Sequence, residues 1–423
     1  MRVKDLCLGI YDGPHATPKK TGAGPTFLGI GNLSNGRLDL SVVERLSEED
    51  FIKWTRRVRP QENDIVFSYE TRLGEAAIIP RGLGCCLGRR MGLLRPNRAI
   101  VNPRFLLYAY LGPEFQDLIR SRTVQGSTVE RILLTELPDF PLRIPPLPTQ
   151  ELIAGILGVL DDKIELNRRM NETLEATAGA IFKSWLVDFD PVRAKAQGRR
   201  PACMDAATAR LFPDSFVDSV LGEIPKGWRT RPLDEIAAFL NGLPLQKFPA
   251  TGERYLPVIK IAEMRRGCTG ASDRASINIP REYVVEDGDI LFSWSGSLAV
   301  CIWAGGRGAL NQHLFKVTST RYPNWFCYQW IRHHLPDFQA IAAGKATTIG
   351  HIQRYHLHDA FAVTPPDQLL SRIDGVMAPT LRRTTLAWLE SRSLAALRDT
   401  LLPKLLSGEI RVKAAEKMVA GAL

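Results

Sequence analysis

The amino-acid sequence contains one pattern twice. Asp64-Ile65-Val66-Phe67-Ser68 in the first half is repeated in the second half as Asp289-Ile290-Leu291-Phe292-Ser293. Other segments recur in the same order in both halves: Phe115-Gln116 with Phe338-Gln339, Thr128-Val129-Glu130-Arg131-Ile132 with Thr348-Ile349-Gly350-His351-Ile352, and Pro145-Pro146 with Pro365-Pro366. A long stretch with helical periodicity follows each Pro-Pro pair. The pattern predicts two related but unequal units, each a globular part followed by a long helix. We expect the two units to contact two related but unequal binding targets.

The net charge favours a polyanionic partner without requiring one. Lys plus Arg number 55 against 45 Asp plus Glu, so the formal charge is +10, and the isoelectric point is about 9.3. A mild basic excess of this size occurs on nucleic-acid-binding proteins and also on many ordinary soluble proteins.

The cysteines and the start of the sequence indicate a reducing compartment. The seven cysteines are an odd number and include no Cys-x-x-Cys pair, which argues against a disulfide framework and a cysteine-rich zinc site. No signal-like apolar core follows Met1, and no stretch is long enough to span a bilayer. We therefore expect a cytoplasmic protein without a membrane partner.

The patterns divide the chain into six parts. These are a first globular unit (residues 1–148), a central helix (149–190), a linker (191–221), a second globular unit (222–366), a C-terminal helix (367–410) and a tail (411–423). Each globular unit mixes predicted strands and helices. The strand candidates are 64–68, 76–79, 255–261 and 289–293, and the helix candidates are 105–120 and 325–342.

The central helix has a heptad repeat. Spacings of four and three residues connect Ile153, Leu157, Leu160, Ile164, Asn167, Asn171, Leu174, Ala178, Ile181 and Trp185. Such spacing is typical of a coiled-coil helix, in which buried Asn can fix register and partner. From 150 to 186 the helix would be about 55 Å long at about 1.5 Å per residue.

The C-terminal helix repeats this pattern more loosely. Its apolar side is assigned to Ile373, Met377, Leu381, Leu386, Leu389, Leu394, Leu397, Leu401 and Leu405, and Pro403 is expected to kink the helix or end it early. We predict that the two helices pair with each other as an antiparallel coiled coil. The alternative is that each helix packs only on its own domain.

Several sequence motifs suggest an enzyme, but each lacks a necessary companion. Phe27-Leu28-Gly29-Ile30-Gly31 matches the Phe-x-Gly-x-Gly loop that approaches S-adenosylmethionine in many methyltransferases. An amino-methyltransferase also needs an Asn/Asp/Ser-Pro-Pro-aromatic tetrapeptide, whereas this chain has Ile144-Pro145-Pro146-Leu147 and Thr364-Pro365-Pro366-Asp367. The histidines of the second half include no His-Glu-x-x-His, and no phosphate-binding Gly-x-x-x-x-Gly-Lys-Ser/Thr loop is present. We assign no catalytic and no metal-binding residues.

The remaining polar residues are suited to nucleic-acid binding. Short hydroxyl and amide side chains beside basic residues can contact phosphates and base edges, although they also cap turns. Our candidates are Lys19, Lys20, Arg72, Arg89, Arg90, Gln125, Ser127 and Thr128 in the first half, and Lys260, Ser295, Ser297, Asn311, Gln312, His313, Lys345, Thr347 and Thr348 in the second. For helix pairing or partner docking the candidates are Ile153, Leu157, Leu160, Ile164, Asn167, Asn171, Leu174, Trp185, Leu397, Leu401 and Leu405.

The central helix contains four segments that carry a family resemblance: Pro148-Thr149-Gln150-Glu151, Leu160-Asp161-Asp162-Lys163-Ile164-Glu165-Leu166-Asn167-Arg168, Met170-Asn171-Glu172-Thr173-Leu174-Glu175, and Ala180-Ile181-Phe182-Lys183-Ser184-Trp185-Leu186-Val187-Asp188-Phe189-Asp190-Pro191. They are similar to the central conserved helix of the specificity subunits of type I restriction-modification systems, which the chain resembles. Their C-terminal helix end is similar to Leu401-Leu402-Pro403-Lys404-Leu405-Leu406-Ser407-Gly408-Glu409-Ile410. Gly222-Glu223-Ile224-Pro225-Lys226-Gly227-Trp228 resembles the entry to a second recognition domain, and no such lead-in precedes the first, so its first strand is expected to be shortened.

The resemblance implies a fold and a function. The fold would be mixed α/β with an internal pseudo-twofold repeat: two similar DNA target recognition domains, each followed by a long helix. The chain would be non-catalytic, would read an asymmetric bipartite double-stranded DNA target, and would dock two methyltransferase (modification) subunits and then restriction-translocase subunits. Those partners, and not this chain, would bind S-adenosylmethionine, ATP and Mg²⁺. The alternatives are a stand-alone DNA adenine methyltransferase with fused recognition domains, and a helical scaffold that does not bind DNA.

Overall fold

A computed structural model describes residues 1–34, 36–125, 129–344 and 350–423, with only the backbone of Gln125 described. Contacts group these residues into two compact units. The first unit comprises Met1–Lys163 and Leu394–Leu423, and the second comprises Ile164–Ser393. The two long helices are shared, because the boundary crosses each of them between its ends.

The first unit combines antiparallel and parallel strands with short helices. Its strands are β1 (Cys7–Asp12), β2 (Thr21–Leu28), β3 (Leu33–Ser34), β4 (Arg37–Leu38), β5 (Glu44–Arg45), β6 (Ile65–Ser68), β7 (Ala76–Ile78), β8 (Cys85–Leu87), β9 (Met91–Pro96), β10 (Val124–Gln125) and β11 (Glu130–Arg131). Its helices are α1 (Val3–Leu6), α2 (Glu48–Trp54), α3 (Pro103–Leu111), α4 (Pro113–Ser121) and the first part of α5 (Leu147–Phe182). The apolar strand β6 lies inside an antiparallel sheet of order β1-β9-β6-β7, and β2 pairs parallel to β8.

The second unit contains the corresponding elements. Its helices are α6 (Asp190–Ala196), α7 (Ala206–Leu211), α8 (Leu233–Ile236), α9 (Ile261–Arg266), α10 (Asn324–Ala343), α11 (Arg354–Asp359) and most of α12 (Asp367–Ser407), while α13 (Val412–Ala420) belongs to the first unit. Its strands are β12 (Phe216–Ser219), β13 (Gly222–Pro225), β14 (Arg229–Pro232), β15 (Ala238–Asn241), β16 (Leu256–Ile259), β17 (Arg274–Ala275), β18 (Val284–Val285), β19 (Ile290–Ser293), β20 (Val300–Ile302), β21 (Gly308–Leu310), β22 (Leu314–Thr318) and β23 (Phe361–Thr364).

The sheets confirm the internal repeat. The order β15-β22-β19-β20 in the second unit corresponds to β1-β9-β6-β7 in the first, and the parallel pair β16–β21 corresponds to β2–β8. In both units the strand of the Asp-Ile-x-Phe-Ser motif is fully buried between two antiparallel neighbours. The fold is therefore the predicted one, with two similar α/β domains, each followed by a long helix.

The repeated aspartate of this motif has a structural role. In the first unit Asp64 binds Arg95 at 2.8 Å and accepts a hydrogen bond from the Gln61 amide. Asp289 in the second unit binds Lys316 at 2.7 Å and accepts from the Glu286 amide. Each carboxylate thus closes the turn before its strand and pairs with a cation on the neighbouring strand.

The two long helices are antiparallel partners. In the first unit Asp161 of α5 binds Arg398 of α12 at 2.7 Å. In the second unit Asn167 of α5 donates to Glu390 and Ser391 of α12, while Ala178 shares a core with Met377. Positions later in one helix therefore meet positions earlier in the other, as the heptad pattern predicted.

Burial confirms the predicted register of α5 and corrects that of α12. Each of the ten heptad positions of α5 is buried or half-buried, and Asn167 and Asn171 are both only 1% exposed. In α12, Leu386 is 57% exposed, and the buried positions are taken instead by Thr384, Ala387 and Ser391. The prediction at Leu386 was wrong because it followed the largest apolar residues, whereas the buried positions include small residues such as Ser391, which accepts a hydrogen bond from Asn167.

Helix ends also differ from the predictions. The helix predicted over 105–120 is two helices, because Gly112 is extended and Pro113 starts a new helix. The α12 helix does not end at Pro403, since the buried Leu401, Leu402 and Leu405 hold its last turn down to Ser407. The residues 191–221 carry α6, α7 and much of a β-hairpin, and 411–423 carry α13.

The pairing that β14 makes in the second unit is reduced to a single bridge in the first unit. In the second unit β14 pairs with β23, and the Leu233 amide then donates to the Ala360 carbonyl. In the first unit a single bridge joins Arg2 and Pro141, and the Val3 amide donates to Phe140 in the same way.

Candidate nucleic-acid interface

In each unit, three parts of the chain meet just after the strand of the Asp-Ile-x-Phe-Ser motif: the residue that follows this strand, a residue of a second loop, and a segment from later in the domain. In the first unit the Tyr69 amide donates to the Arg90 carbonyl at 3.2 Å, and the Ile132 amide donates to the Tyr69 carbonyl at 2.9 Å. In the second unit Trp294 makes the same backbone hydrogen bonds with His313 at 3.4 Å and with Ile352 at 3.0 Å. These bonds make Tyr69 equivalent to Trp294, and Arg90 equivalent to His313.

A further bridge completes the correspondence. Glu70 pairs with Arg131 in the first unit, and Ser295 pairs with His351 in the second. We call Glu70, Thr71, Arg90 and Arg131 the first cluster, and Trp294, Ser295, His313 and His351 the second cluster. Both clusters lie on the same backbone framework, but their side chains differ in charge and shape.

The first cluster is charged and its backbone is strained. The Arg90 guanidinium lies 3.2 Å from the Glu70 carboxylate and donates to the Thr71 hydroxyl at 3.1 Å. Thr71 and Arg90 both have φ of 71°, in the left-handed region that β-branched and long side chains rarely adopt. Strained residues of this kind concentrate at functional sites. The ion pair and the hydrogen bond hold Arg90 at the strand end in spite of the backbone strain.

The second cluster is aromatic and carries no carboxylate. The Ser295 hydroxyl lies 2.9 Å from Nδ1 of His313. The Trp294 indole donates to the Asn241 side chain at 2.9 Å, and its ring lies 5.9 Å from the His313 ring and 6.3 Å from the His351 ring. Gly296, with φ of 65°, follows Ser295 where Thr71 follows Glu70. The second unit thus makes the same left-handed turn without side-chain strain.

The structure brings some of the predicted contact residues together and separates others. Arg90, Ser295 and His313 belong to the clusters, and Gln312 and Asn311 precede His313, with the Asn311 side chain accepting from the His313 amide at 3.2 Å. Arg72 is engaged within its own domain, since it donates to the Ile30 carbonyl at 3.0 Å and binds Glu75. Lys19 and Arg89 are exposed.

Three further candidates are exposed side chains that bind within their own unit. Lys20 pairs with Glu44, Lys260 pairs with Asp273, and Ser297 accepts a hydrogen bond from Arg265. The side chain of Gln125, and all of Ser127, Thr128, Lys345, Thr347 and Thr348, lie outside the described residues.

Among the helix candidates, Asn167 joins α5 to α12 through Glu390 and Ser391, whereas Trp185 lies just after α5 and packs against Phe212. Ile153, Leu157, Leu160, Trp185, Leu401 and Leu405 are buried together with Asn167 and Asn171, whereas Ile164, Leu174 and Leu397 are half-buried.

Sequence reasoning missed Glu70, Thr71, Arg131, Trp294 and His351. Aligning the two halves on the Asp-Ile-x-Phe-Ser motif places Glu70 and Thr71 opposite Ser295 and Gly296. That alignment could have identified the positions, because a Thr opposite a Gly is a signal of a left-handed turn. The backbone bridges that bring Arg131 and His351 to the same place depend on tertiary structure.

The described part of the chain offers no other obvious chemical centre. Within it, no three His, Cys, Asp or Glu side chains are arranged to hold a metal ion. Burial raises the pKa of the Cys85 and Cys86 thiols to about 12, so these thiols stay protonated and weakly nucleophilic. A membrane-crossing helix is also missing from these described ranges.

Comparisons with known proteins agree with this architecture. The family model described as a type I restriction modification DNA specificity domain matches residues 23–176. The HindI type I restriction enzyme specificity subunit of Haemophilus influenzae is 28% identical over 75% of this chain and 80% of its own length. The MjaIX specificity subunit of Methanocaldococcus jannaschii is 26% identical over 87% of this chain and 82% of its own length.

A solved structure has the same fold. The type I restriction-modification S subunit from M. genitalium has a TM-score of 0.50 at 15% identity, and the match covers 96% of this chain and 95% of that one. Twin α/β domains, each followed by a long helix, are the fold that this chain shares with that S subunit. The chain is thus similar to type I restriction-modification specificity subunits, and the match to the family model lies in its first part.

Proposed function

We propose that the first and second clusters read the two halves of an asymmetric, bipartite double-stranded DNA target. The observation that supports this proposal is one backbone framework that occurs twice with different side chains. Arg90 held by Glu70 occupies the position in the first unit that His313 bonded to Ser295 occupies in the second. The shared backbone framework would allow both domains to approach DNA in the same way. The different side chains would allow them to recognise different bases.

The chemistry of each cluster suggests what it recognises. Arginine commonly donates two hydrogen bonds to the O6 and N7 acceptors of guanine in the major groove. Glu70 and Thr71 would orient the Arg90 guanidinium before DNA arrives, which lowers the entropy lost on binding. His313 and Ser295 can each donate and accept, so they suit a base edge with mixed groups. The exposed Lys19 and Arg89 suit phosphate contacts.

We also propose how the chain acts within a larger complex. Two methyltransferase (modification) subunits would dock on the paired helices, and restriction-translocase subunits would join afterwards. Methyl transfer and DNA cleavage would take place on those chains, which would bind S-adenosylmethionine, ATP and Mg²⁺. The complex would work in the cytoplasm, where DNA is accessible.

The experiment combines methylome sequencing with single substitutions. The host strain is sequenced for modified bases with and without this chain, which defines the parent target. Arg90→Met should then relax one base position in one half-site, and His313→Gln should relax a position in the other. Each relaxed position should lose roughly 1–3 kcal/mol of discrimination, the usual value of a bidentate base contact.

Matched controls separate base reading from general effects of charge. Arg120→Met removes an arginine that is 67% exposed and binds Asp117, and His358→Gln removes a histidine that is 60% exposed and binds Asp234. Neither control should change the target. If Arg90→Met and His313→Gln leave both half-sites unchanged, other residues read the bases.

The two alternative functions give different results. A stand-alone methyltransferase would transfer a labelled methyl group from S-adenosylmethionine to DNA without partner subunits, and we expect no transfer by the purified chain. A scaffold that does not bind DNA would leave genomic fragments unshifted in a gel even when modification subunits are present. We expect shifted bands under those conditions.

A further inference from the structure

One carboxylate in the first unit collects hydrogen bonds from three separate elements. The Asp161 carboxylate on α5 accepts from the Tyr108 hydroxyl at 2.6 Å, from Arg398 of α12 at 2.7 Å, and from Arg37 of β4 at 3.2 Å. Arg37 also donates to the Asp161 backbone carbonyl. Asp161 therefore joins both long helices to two elements of the globular domain.

This junction is shielded from solvent. The side chains of Asp161 and Arg398 are 17% and 16% exposed, and that of Arg37 is 29% exposed. Burial and the adjacent Asp161 carboxylate raise the pKa of the Tyr108 hydroxyl, which stays protonated and donates. Ion pairs at this depth are screened much less by salt than surface pairs, and removing one partner leaves the other charges without compensation.

A second contact beside it makes the geometry specific. Arg104, one helical turn before Tyr108 on α3, binds Asp162 of α5 and lies over Gly158. A Cβ atom at Gly158 would lie 2.6 Å from the Arg104 guanidinium, so any larger residue there would require the Arg104 side chain to move. The α3 helix is thus aligned along α5 at two successive turns.

In the described residues of the second unit, this carboxylate is not repeated at the equivalent position. Leu381 stands at the same distance from Pro365-Pro366 as Asp161 stands from Pro145-Pro146, and it lines a cavity with Trp325, Tyr328 and Ala178. The second domain also contacts α12 through the Trp325–Asp374 hydrogen bond at 2.8 Å and the Arg392–Asp287 ion pair at 2.9 Å. The two domains therefore meet their helices through different residues.

We infer that Asp161 is the positioning residue that locks the first recognition domain onto the paired helices and so sets the reading of one half-site only. The functional part of this inference rests on the proposed function, since it needs two separately read half-sites. Asp161 itself contacts no base. It acts by holding α3 and β4, and with them the domain that carries the first cluster.

The test uses the full chain in complex with modification subunits. Asp161→Asn keeps the size but removes the charge, and Tyr108→Phe removes a single hydrogen bond while keeping the ring. Hydrogen–deuterium exchange measures the junction directly, independently of DNA. Exchange should rise in α3 and β4 in both variants, more in Asp161→Asn, and should stay at the parent level in β19 and β22.

The DNA arm measures methylation of targets that carry one altered base in either half-site. Discrimination at one half-site should fall about tenfold in Asp161→Asn, and by a smaller factor in Tyr108→Phe, while the other half-site keeps its discrimination. Glu172→Gln is the control, because Glu172 is a 59% exposed carboxylate on the same helix that binds Arg168. It should change neither exchange nor discrimination.

Failure of the positioning role of Asp161 and failure of the proposed function give different results. Unchanged exchange in α3 and β4, or equal losses at both half-sites, would overturn the positioning role of Asp161. If Asp161→Asn does not fold, the same comparison is made with Tyr108→Phe, and an even loss there overturns the role as well. A parent complex that methylates altered targets as readily as the correct one would instead refute the proposed function, while the exchange arm still decides the junction.

Discussion

The amide nitrogen of Asn167 donates a hydrogen bond to the hydroxyl of Ser391 at 3.3 Å, and this bond connects the two long helices within the second unit. Asn167 also donates to Glu390 at 2.7 Å. Asn167 and Ser391 are 1% and 7% exposed, so the contact is buried in the helix pair. A buried polar contact at one heptad position favours a single register, because a shifted helix would leave the amide without a partner.

The same seam contains polar atoms without partners, which leads to a stability prediction. The Asn167 oxygen and both side-chain amide atoms of Asn171 are buried without a hydrogen bond. An unsatisfied buried polar group costs about 1–3 kcal/mol, so replacing Asn167 and Asn171 with Leu should keep or raise the melting temperature. The leucines should also loosen the register, because apolar side chains accept several offsets. A cysteine pair placed across the helices should then cross-link in more than one register.

A substitution on the facing helix, at the partner of Asn167, serves as the control for this stability prediction. Ser391→Ala removes a partner of Asn167 but leaves the amide in place, and it should lower the melting temperature. If the double leucine variant is clearly less stable than the parent, the asparagines are satisfied in solution and this account of the seam is wrong.

The heptad of α5 was predictable, and that of α12 was not, for a physical reason. In α5 the apolar residues at heptad spacing, such as Leu157 and Leu160, are buried, whereas Leu166 outside that spacing is exposed, so the spacing locates the seam. In α12 the seam passes through Thr384, Ala387 and Ser391, while Leu386 faces outward. Ser391 accepts a hydrogen bond from Asn167 of the facing helix, and a single-helix pattern contains no information about that partner.

The sequence repeat was sufficient to predict the fold, but it identified only some residues of the candidate site. Two copies of the Asp-Ile-x-Phe-Ser strand were enough to infer two domains, and the structure adds that Arg90 and His313 accept equivalent backbone hydrogen bonds. Arg72 was assigned by its charge, yet it binds the Ile30 carbonyl and Glu75 of its own domain. Charge alone does not separate a cation that is engaged in the fold from one that is available to a ligand.

A substitution of Thr71 tests whether its strained left-handed backbone contributes to recognition of the first half-site. Thr71→Gly should relieve about 1–2 kcal/mol of left-handed strain, so the variant should be at least as stable as the parent. It also removes the hydroxyl that accepts from Arg90, so discrimination at the first half-site should fall. Thermal denaturation and methylation of single-base target variants measure the two effects.

The reciprocal variant lies in the second unit. Gly296 has φ of 65°, and Gly296→Thr should cost about 1–2 kcal/mol because the new side chain enters the strained region. A Thr71→Gly variant that is markedly less stable than the parent would show that the hydroxyl contributes more than the strain removes.

The lowered pKa of His334 predicts that the stability of the second unit depends on pH. Burial lowers the pKa of His334, whose Nε2 lies 2.9 Å from the Phe361 carbonyl oxygen. The unfolded chain takes up a proton near its ordinary pKa of about 6.5, before the folded protein does. The stability is therefore complete above about pH 6.5 and declines as the pH falls below it.

The measurement compares melting temperatures of parent and His334→Gln between about pH 7.5 and pH 5.5. The parent should lose more stability over this range than the variant, with His333 contributing the remaining slope because its pKa is also lowered by burial and by the adjacent His334. Equal slopes would mean that His334 is as accessible to protons in the folded state as in the unfolded one.

Salt should weaken DNA binding strongly. The chain has a formal charge of +10, and each phosphate that it neutralises releases counterions. Affinity should therefore fall by orders of magnitude between about 50 and 200 mM salt if several phosphates are contacted. The measurement is a fluorescence-anisotropy titration of the complex with modification subunits, and a flat salt response would contradict electrostatic binding.

An exchange of one domain tests whether the two domains read two half-sites separately. Residues 222–366 are replaced by the matching domain of a related specificity subunit, and the modified bases of a host that carries the hybrid are sequenced. One half-site should change to that of the donor while the other stays as in the parent. A simultaneous change in both half-sites, or no change in either, would contradict separate reading by the two domains.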